Sequence, residues 1–413
     1  MNVKVAAGDG RSGECVSRAE ALLLLGVKPE TLYSYVSRGL IRRVAVADGR
    51  SLYAREDVDR VRARSVARSG HGPVAAAAVH WGEPILTTRL TRVTAEGPAY
   101  RGLLAAGLAK EGRKFEAVAQ YLWTGSWDPP PAASDPPASL AGELDRVFAA
   151  HPGLHVRYLM AHAVLALSYQ PPAPDAPVAE TGRKLLRAIV GTLGFLGPAG
   201  AFRPPLARES LGVAALRGLG ARDDTRTRKA LEAALILCAD HDLTPATFAG
   251  RIAASIGADL YACIGAALNA HFGAHFGLGF DRLESQLHDH FERPGAPPDA
   301  PENQVRYHHP LYPKGDPRAQ FIIDAARDIA GRGDRVDHAL ALLTRGVGRT
   351  LEAPTIEEAL ATFAHALNLP RQSSGALFTL GRAAGWLAHA HEQKVSGTLI
   401  RPRARFLAAD EPA

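Results

Sequence analysis

The chain has 413 residues, 46% of them hydrophobic, with three cysteines and a formal net charge of +6. That length suffices for two or three domains and a large buried core. Cys15, Cys238 and Cys263 form no C-x-x-C, which argues against a disulfide framework or a thiolate metal site and for a reducing cytoplasm. The opening MNVKVAAGDGRSGE lacks an apolar core of signal-peptide length, and apolar runs such as AALILCA (233–239) are too short to span a bilayer. Residues 1–70 hold 13 lysines and arginines against 8 carboxylates. Nearly all the excess positive charge is therefore N-terminal, which points to a local polyanion site.

Ser17-Arg18-Ala19-Glu20 is a capping box and predicts a helix through AEALLLL that stops at Gly26. A second helix starts at Pro29 in VKPETLYSYVSR. Helix, short glycine-bearing turn, helix is helix-turn-helix spacing. Asp48-Gly49 between two β-prone runs predicts a hairpin, and REDVDRVRARSVARS a further helix. TLYSYVSRGLI, followed by this wing and Glu56-Asp57-Val58, resembles the winged helix-turn-helix of the mercury-resistance-regulator (MerR-like) and excisionase group. The resemblance implies a duplex-DNA-binding domain over residues 1–68. Its second helix would enter the major groove, with Lys28, Thr31, Ser34 and Tyr35 near the exposed N-terminal face. Arg42, Arg43 and Arg50 would touch phosphates. Leu32 and Val36 pack inward against Leu22 and Leu25. The plainer alternative is a small helical domain whose arginines face water.

Residues 69–79 (SGHGPVAAAAV) read as a linker. Beyond them, proline-rich stretches at 128–139, 170–177 and 292–303 separate amphipathic or buried helices. No alternating strand is expected after the wing, so the fold class is all-α. Phe248, Ile252, Ile256, Leu260, Ile264 and Leu268 recur every fourth position and predict a long helical run with one buried face. His241 sits in a turn just before it.

YHHPLYPKGDPRA (307–319) describes a rigid polar loop. LFTLGRAAGWLAHAHEQ (377–393) places Arg382 on an otherwise apolar helix, and LIRPRARF (399–406) follows. These segments in this order, with YRG at 100–102 and FEAVAQYLWTG from Phe115, resemble the citrate synthase family over residues 80–413. The resemblance implies a homodimeric all-α acyltransferase that condenses oxaloacetate with acetyl-CoA, or propionyl-CoA in relatives. It implies no tightly bound cofactor. It implies a large domain (80–276 and 368–413) and a small mobile one (277–367). Oxaloacetate carries two carboxylates, which call for guanidinium forks, and a ketone that needs a donor. His241 matches an oxaloacetate histidine and His309 the ketone-polarising one. Arg318 and Arg382 match carboxylate ligands, and Arg401 a third that the family supplies from the partner subunit.

Two positions that activate acetyl-CoA depart from the family pattern. G-P-L-H-G becomes G-A-H-F-G, so Phe276 stands at the histidine's place, with His275 beside it but turned by about 100° if helical. N-x-D becomes P-T-I-E-E, so Glu357 stands at the base position. E-x-N-x-S after His241 is also altered, to D-L-T-P-A-T. Losing one oxyanion-type donor costs roughly 10²–10³ in rate, and misplacing a reacting group by about 1 Å can cost about 10². Two functions follow. One is a metabolite-responsive regulator that binds oxaloacetate or a similar dicarboxylate, with acyl-CoA, and condenses them poorly. The other is an active citrate or 2-methylcitrate synthase with an accessory module. Glu357 and Glu358 also fit as first-turn acids of a helix, and Arg382 as an ion-pair residue. His271 and His275 lack the H-E-x-x-H pattern or a cysteine partner, so no metal is expected.

Overall fold

The computed structural model describes residues 15–25, 27–45, 51–55, 57–59, 61, 86–128, 135–273, 277–292, 311–312, 315–330, 334–344 and 353–402. The chain divides into two compact units, Met1–Thr87 and Thr88–Ala413.

The first unit contains β1 (Cys15–Ser17), α1 (Arg18–Leu25), α2 (Pro29–Ser37), β2 (Arg43–Ala45) and β3 (Ser51–Ala54). The expected capping box starts α1. Ser17 N donates to Glu20 Oε2 at 2.7 Å, and Glu20 N to Ser17 Oγ at 3.2 Å. The strands form an antiparallel sheet in the order β1-β3-β2. Asp48-Gly49, the expected hairpin turn, lies outside the described residues, but the strands on either side of it pair. Val16, Ala21, Leu32, Ile41, Tyr53, Val58 and Val61 form the core, with Leu22, Leu25, Tyr35 and Val36 packed on it.

The second unit opens with an antiparallel sheet of β4 (Thr91–Thr94), β5 (Gly97–Tyr100) and β6 (Leu103–Leu104). The expectation of no strand after the wing is corrected by this sheet. Every residue of the central β5 is buried, which erases the polar–apolar alternation that marks a half-exposed strand.

Helices make up the rest: α3 (Ala105–Lys110), α4 (Phe115–Thr124), α5 (Ser139–Ala150), α6 (Val156–Ser168), α7 (Val178–Thr192), α8 (Leu211–Leu219), α9 (Thr225–Cys238), α10 (Pro245–Ser255), α11 (Leu260–His271), α12 (Gly277–Glu292), α13 (Pro317–Ala330), α14 (Asp334–Thr344), α15 (Ile356–Ala366) and α16 (Ser373–Ser396). The main core runs from Leu90 to Ala390, and α16 lies inside it, packed against α4, α7, α9, α10, α11, α12 and α15. Leu283, Leu287, Ala339, Leu343 and Ala361 of α12, α14 and α15 form a satellite core. No helix of the described residues is long and apolar enough to cross a membrane.

The long run expected from Phe248 is two helices. The period of four continues across the break, but Ile256 is 70% exposed. Gly257 adopts φ +88°, which favours glycine. Asp259 then caps α11, its Oδ1 accepting from Tyr261 N at 2.9 Å and Ala262 N at 3.1 Å. The local Gly-Ala-Asp signal outweighs the periodicity.

Two carboxylates link three helices. Glu232 of α9 accepts from Phe115 N, at the start of α4, at 2.7 Å, while Glu116 Oε1 accepts from Leu211 N at the start of α8. Burial, then the charge of Glu116, raises the Glu232 pKa from 4.5 to about 7. The folded chain thus binds a proton that the unfolded chain has released. This contribution is fully present below about pH 4.5 and is lost as pH rises through about 7. Glu232→Gln should flatten the fall of melting temperature between about pH 5 and 7.5. Thermal melts across that range check it; an unchanged slope would assign the titration to another group.

Candidate ligand-binding site

The site is built around the end of α9. The Tyr100 hydroxyl, from β5, donates to Ile236 O at 2.8 Å and accepts from Asp240 N at 3.2 Å. Asp242, at φ +54°, completes a tight turn through His241. Helix α16 approaches this turn closely because G-R-A-A-G carries glycine twice. A Cβ at Gly385 would lie 2.3 Å from Asp240 Oδ1 and 2.4 Å from Ala239 O; one at Gly381 would lie 2.9 Å from Leu235 O. Gly385 N donates to Ala239 O at 2.9 Å.

Between those glycines Arg382 is fully enclosed. Its Nη1 lies 3.0 Å from Asp240 Oδ1. Its Nη2 faces His241 O at 3.0 Å, Asp242 O at 3.2 Å and Thr247 Oγ1 at 3.0 Å. Asp240 Oδ2 accepts from Thr91 Oγ1 at 2.5 Å and lies 3.1 Å from His389 Nε2. Burial raises the Asp240 carboxyl, but His389, Arg382 and Thr91 outweigh it and hold the pKa below the usual carboxylate range. Burial pulls the Arg382 pKa down against the opposing charge of Asp240. The ion-pair and binding alternatives for Arg382 are thus not exclusive: it staples the His241 turn, yet its Nε takes no part in those bonds.

The second arginine is held in the same way. Arg318, at the start of α13, grips Asp316 with Nε–Oδ1 at 3.0 Å and Nη2–Oδ2 at 2.6 Å. Burial lowers its pKa, but Asp316 outweighs that and raises it. Tyr312, from the same loop, places its hydroxyl 3.2 Å from His241 Nε2. Asp316 N donates to Pro354 O at 3.2 Å, tying this loop to the start of α15.

There the two glutamates separate. Thr355 and Glu358 form a reciprocal capping box, Thr355 N to Glu358 Oε2 at 2.8 Å and Glu358 N to Thr355 Oγ1 at 3.2 Å. Glu357 is not the N3 partner of that box, although its carboxyl also meets the Thr355 side chain. Burial of its carboxyl raises its pKa, and the Asp316 charge adds to this against Arg318. The Cys238 thiol marks the meeting point. Burial raises it to about 12, and it feels Arg318, Asp316, Arg382 and Glu357 together.

His271, which the sequence suggested only as half of a histidine pair, ends α11. Its ring lies 5.2 Å from Phe378, stacked, and 5.5 Å from Trp386. These two and Arg382 share one face of α16 at fourfold spacing. Burial, aided by Arg382, lowers the His271 pKa to about 4, so its imidazole is neutral near pH 7. His275, Phe276 and His309 lie outside the described residues. Arg401 is exposed beyond the end of α16.

In the N-terminal unit Lys28 and Arg43 are exposed, and Thr31 and Ser34 are half-buried. Arg50 lies outside the described residues. Tyr35 does not face outward: with Leu32 and Val36 it belongs to the i, i+3, i+4 stripe packed on the core. The outward tyrosine is Tyr33, 49% exposed, with the Arg18 guanidinium 5.2 Å from its ring centre. Arg42 is exposed, but its Nε donates to the buried Asp57 at 2.8 Å.

The family model described as citrate synthase, C-terminal domain, matches residues 79–403. Citrate synthase 2 of Bacillus subtilis is 28% identical over 192 residues, 44% of this chain and 52% of that protein. A citrate synthase of Haloferax volcanii is 28% identical over 185 residues, 42% and 48% of the two chains. The chain thus spans about half the length of these curated relatives. Among solved structures, the citrate synthase of Pyrobaculum aerophilum superposes with a TM-score of 0.63 at 20% identity, over 80% of this chain and 92% of that one. The Thermoplasma acidophilum enzyme, solved as a ternary complex with carboxymethyl coenzyme A and oxaloacetate, gives 0.63 at 19%, over 80% and 95%. With its mostly helical second unit and a family match across nearly all of that unit, the chain belongs to the citrate synthase family.

Proposed function

We propose that this chain binds oxaloacetate or a similar dicarboxylate, together with acyl-CoA, as a homodimer, and condenses them poorly. In this proposal the N-terminal unit contacts duplex DNA, and the whole is a metabolite-responsive regulator. The observation that carries it is the gathering of His241, Arg318 and Arg382 around the end of α9, in a chain with phenylalanine at position 276. Guanidinium groups suit carboxylates because their N–H fork matches two oxygens. Phenylalanine gives no hydrogen bond to a developing enolate oxygen, so binding and activation come apart. His309 and Arg401 complete the dicarboxylate site, Arg401 acting on the partner's. Residues 80–276 and 368–413 act as the large domain, and 277–367 as the small one.

The alternative is an active citrate or 2-methylcitrate synthase. Glu357 favours it, because burial raises its carboxyl above the ordinary range and makes it a stronger base than an exposed glutamate. His275 would then supply the missing donor.

Citrate should raise the melting temperature of the wild type, since a ligand of the native state stabilises it by mass action. Arg318→Ala and Arg382→Ala should abolish the shift. Melting indifferent to millimolar citrate would sink the binding site.

Release of free thiol from acetyl-CoA with oxaloacetate separates regulator from enzyme. Phe276→His with Glu357→Asp should raise it by well over tenfold, more than either change alone. A wild-type turnover of about 1–10³ s⁻¹, destroyed by His275→Ala, would establish the enzyme instead.

DNA affinity of the full chain should fall steeply with salt as counterions are released. Lys28→Ala with Arg43→Ala should weaken it and lower the salt slope by about two. Mobility-shift titrations at several salt concentrations measure both; binding unaffected by salt or by these changes removes the DNA role.

A further inference from the structure

Behind the His241 turn lies a buried chain of polar groups. Arg251 of α10 is 3% exposed, and His389 of α16 and Asp240 are 0% exposed. Arg251 Nη1 lies 3.0 Å from His389 Nδ1 and 2.8 Å from Glu392 Oε2, and its Nε donates to Gln393 Oε1 at 2.9 Å. Glu392 Oε1 accepts from Arg89 N at 2.8 Å. His389 Nε2 lies 3.1 Å from Asp240 Oδ2.

The tautomer follows from valence. A guanidinium can only donate, so His389 Nδ1 must accept. The ring proton is therefore on Nε2 and points at Asp240. An Nδ1 that accepts carries no proton, so the ring holds its one N–H on Nε2. We propose that His389 is a positioning residue. Locked by Arg251 as the neutral Nε2–H tautomer, it fixes the Asp240 carboxylate against Arg382 and so sets the arginine fork and the His241 turn for a dicarboxylate. The binding half of this proposal rests on the dicarboxylate-site reading above; the tautomer does not. Arg382 has four oxygen neighbours from Asp240, His241, Asp242 and Thr247. A carboxylate free to swing would release Nη1 and with it the turn. The device resembles the general arrangement in which a second partner fixes the orientation and tautomer of a group that meets the ligand.

The test uses the full-length protein with ¹⁵N-labelled histidine, His389→Gln and His389→Leu, and citrate as probe. The His389 signals are assigned as those missing from the His389→Gln spectrum. They should show a protonated Nε2 and an unprotonated, accepting Nδ1 near pH 7. His389→Gln retains a donor toward Asp240 and should bind citrate within about threefold of wild type, whereas His389→Leu should weaken it about tenfold. A His389 that is charged, or protonated at Nδ1, overturns the proposal even if the leucine variant fails to fold. So does a folded His389→Leu that binds citrate like wild type, which leaves only a packing role. A wild type that ignores citrate while showing the Nε2–H tautomer refutes the dicarboxylate reading and the binding half, and upholds the lock on Asp240.

Discussion

The enclosed pair of Asp240 and Arg382 is the constraint on which the second unit depends. Removing two charges from water costs several kcal/mol per ion, by general estimates, and their attraction offsets this only when the remaining lone pairs and protons are satisfied. Asp240 Oδ2 is served by Thr91 from β4 and His389 from α16, while among the described residues Oδ1 and Arg382 Nη1 meet only each other, 3.0 Å apart and outside hydrogen-bond geometry. Arg382 is served by the backbone of the turn that follows α9. One ion pair therefore joins the small sheet, the end of α9, the start of α10 and the middle of α16. The two glycines flanking Arg382 are what let these elements come close enough. A side chain at Gly385 would occupy the place of the Asp240 carboxylate, so substitution there attacks the pair and the helix packing together.

The two site arginines share a design. Each grips an aspartate of its own chain, Arg318 with Asp316 and Arg382 with Asp240. A guanidinium has five N–H groups in a rigid fork. Among the described residues Arg318 Nη1 stays out of the internal hydrogen bonds, as do Arg382 Nε and Nη1, the latter meeting Asp240 only as a charge. The internal carboxylates fix the plane of each fork, so little rotamer freedom is left to lose when a ligand binds. The same pairing keeps two buried cations from repelling each other at the end of α9, where both are felt by Cys238.

Local chemistry was legible in the sequence, and long-range chemistry was not. Ser17 with Glu20 announces its capping box because both partners lie within one turn. Periodicity misled at Ile256, where a regular spacing crosses a real helix break, although Gly257 and Asp259 carry the stop and start signals. It failed at β5, a strand buried throughout. It could have corrected Tyr35, since Leu32, Tyr35 and Val36 already form a helical stripe. Glu357 and Glu358 are neighbours of one type, and only the capping geometry assigns Glu358 to the helix end. The partners of His389 and Arg251 are more than 130 positions away from one another for Asp240–His389 and Arg251–His389, so no local pattern could reveal that chain.

The groups that would bind and those that would activate are rooted differently. Arg382 and His241 belong to the α9–α16 contact, inside the main core, where a change of side chain disturbs packing and an ion pair at once. Positions 275 and 276 fall in the sequence between α11 and α12. Glu357 occupies an intermediate case. Its helix start is fixed by Thr355 and Glu358, so its extra methylene relative to aspartate changes the reach of the carboxyl without moving the backbone. On the proposed reading, selection for binding alone would hold His241 and Arg382 most strictly, because their loss also breaks the α9–α16 contact, and would leave the reach of Glu357 freer.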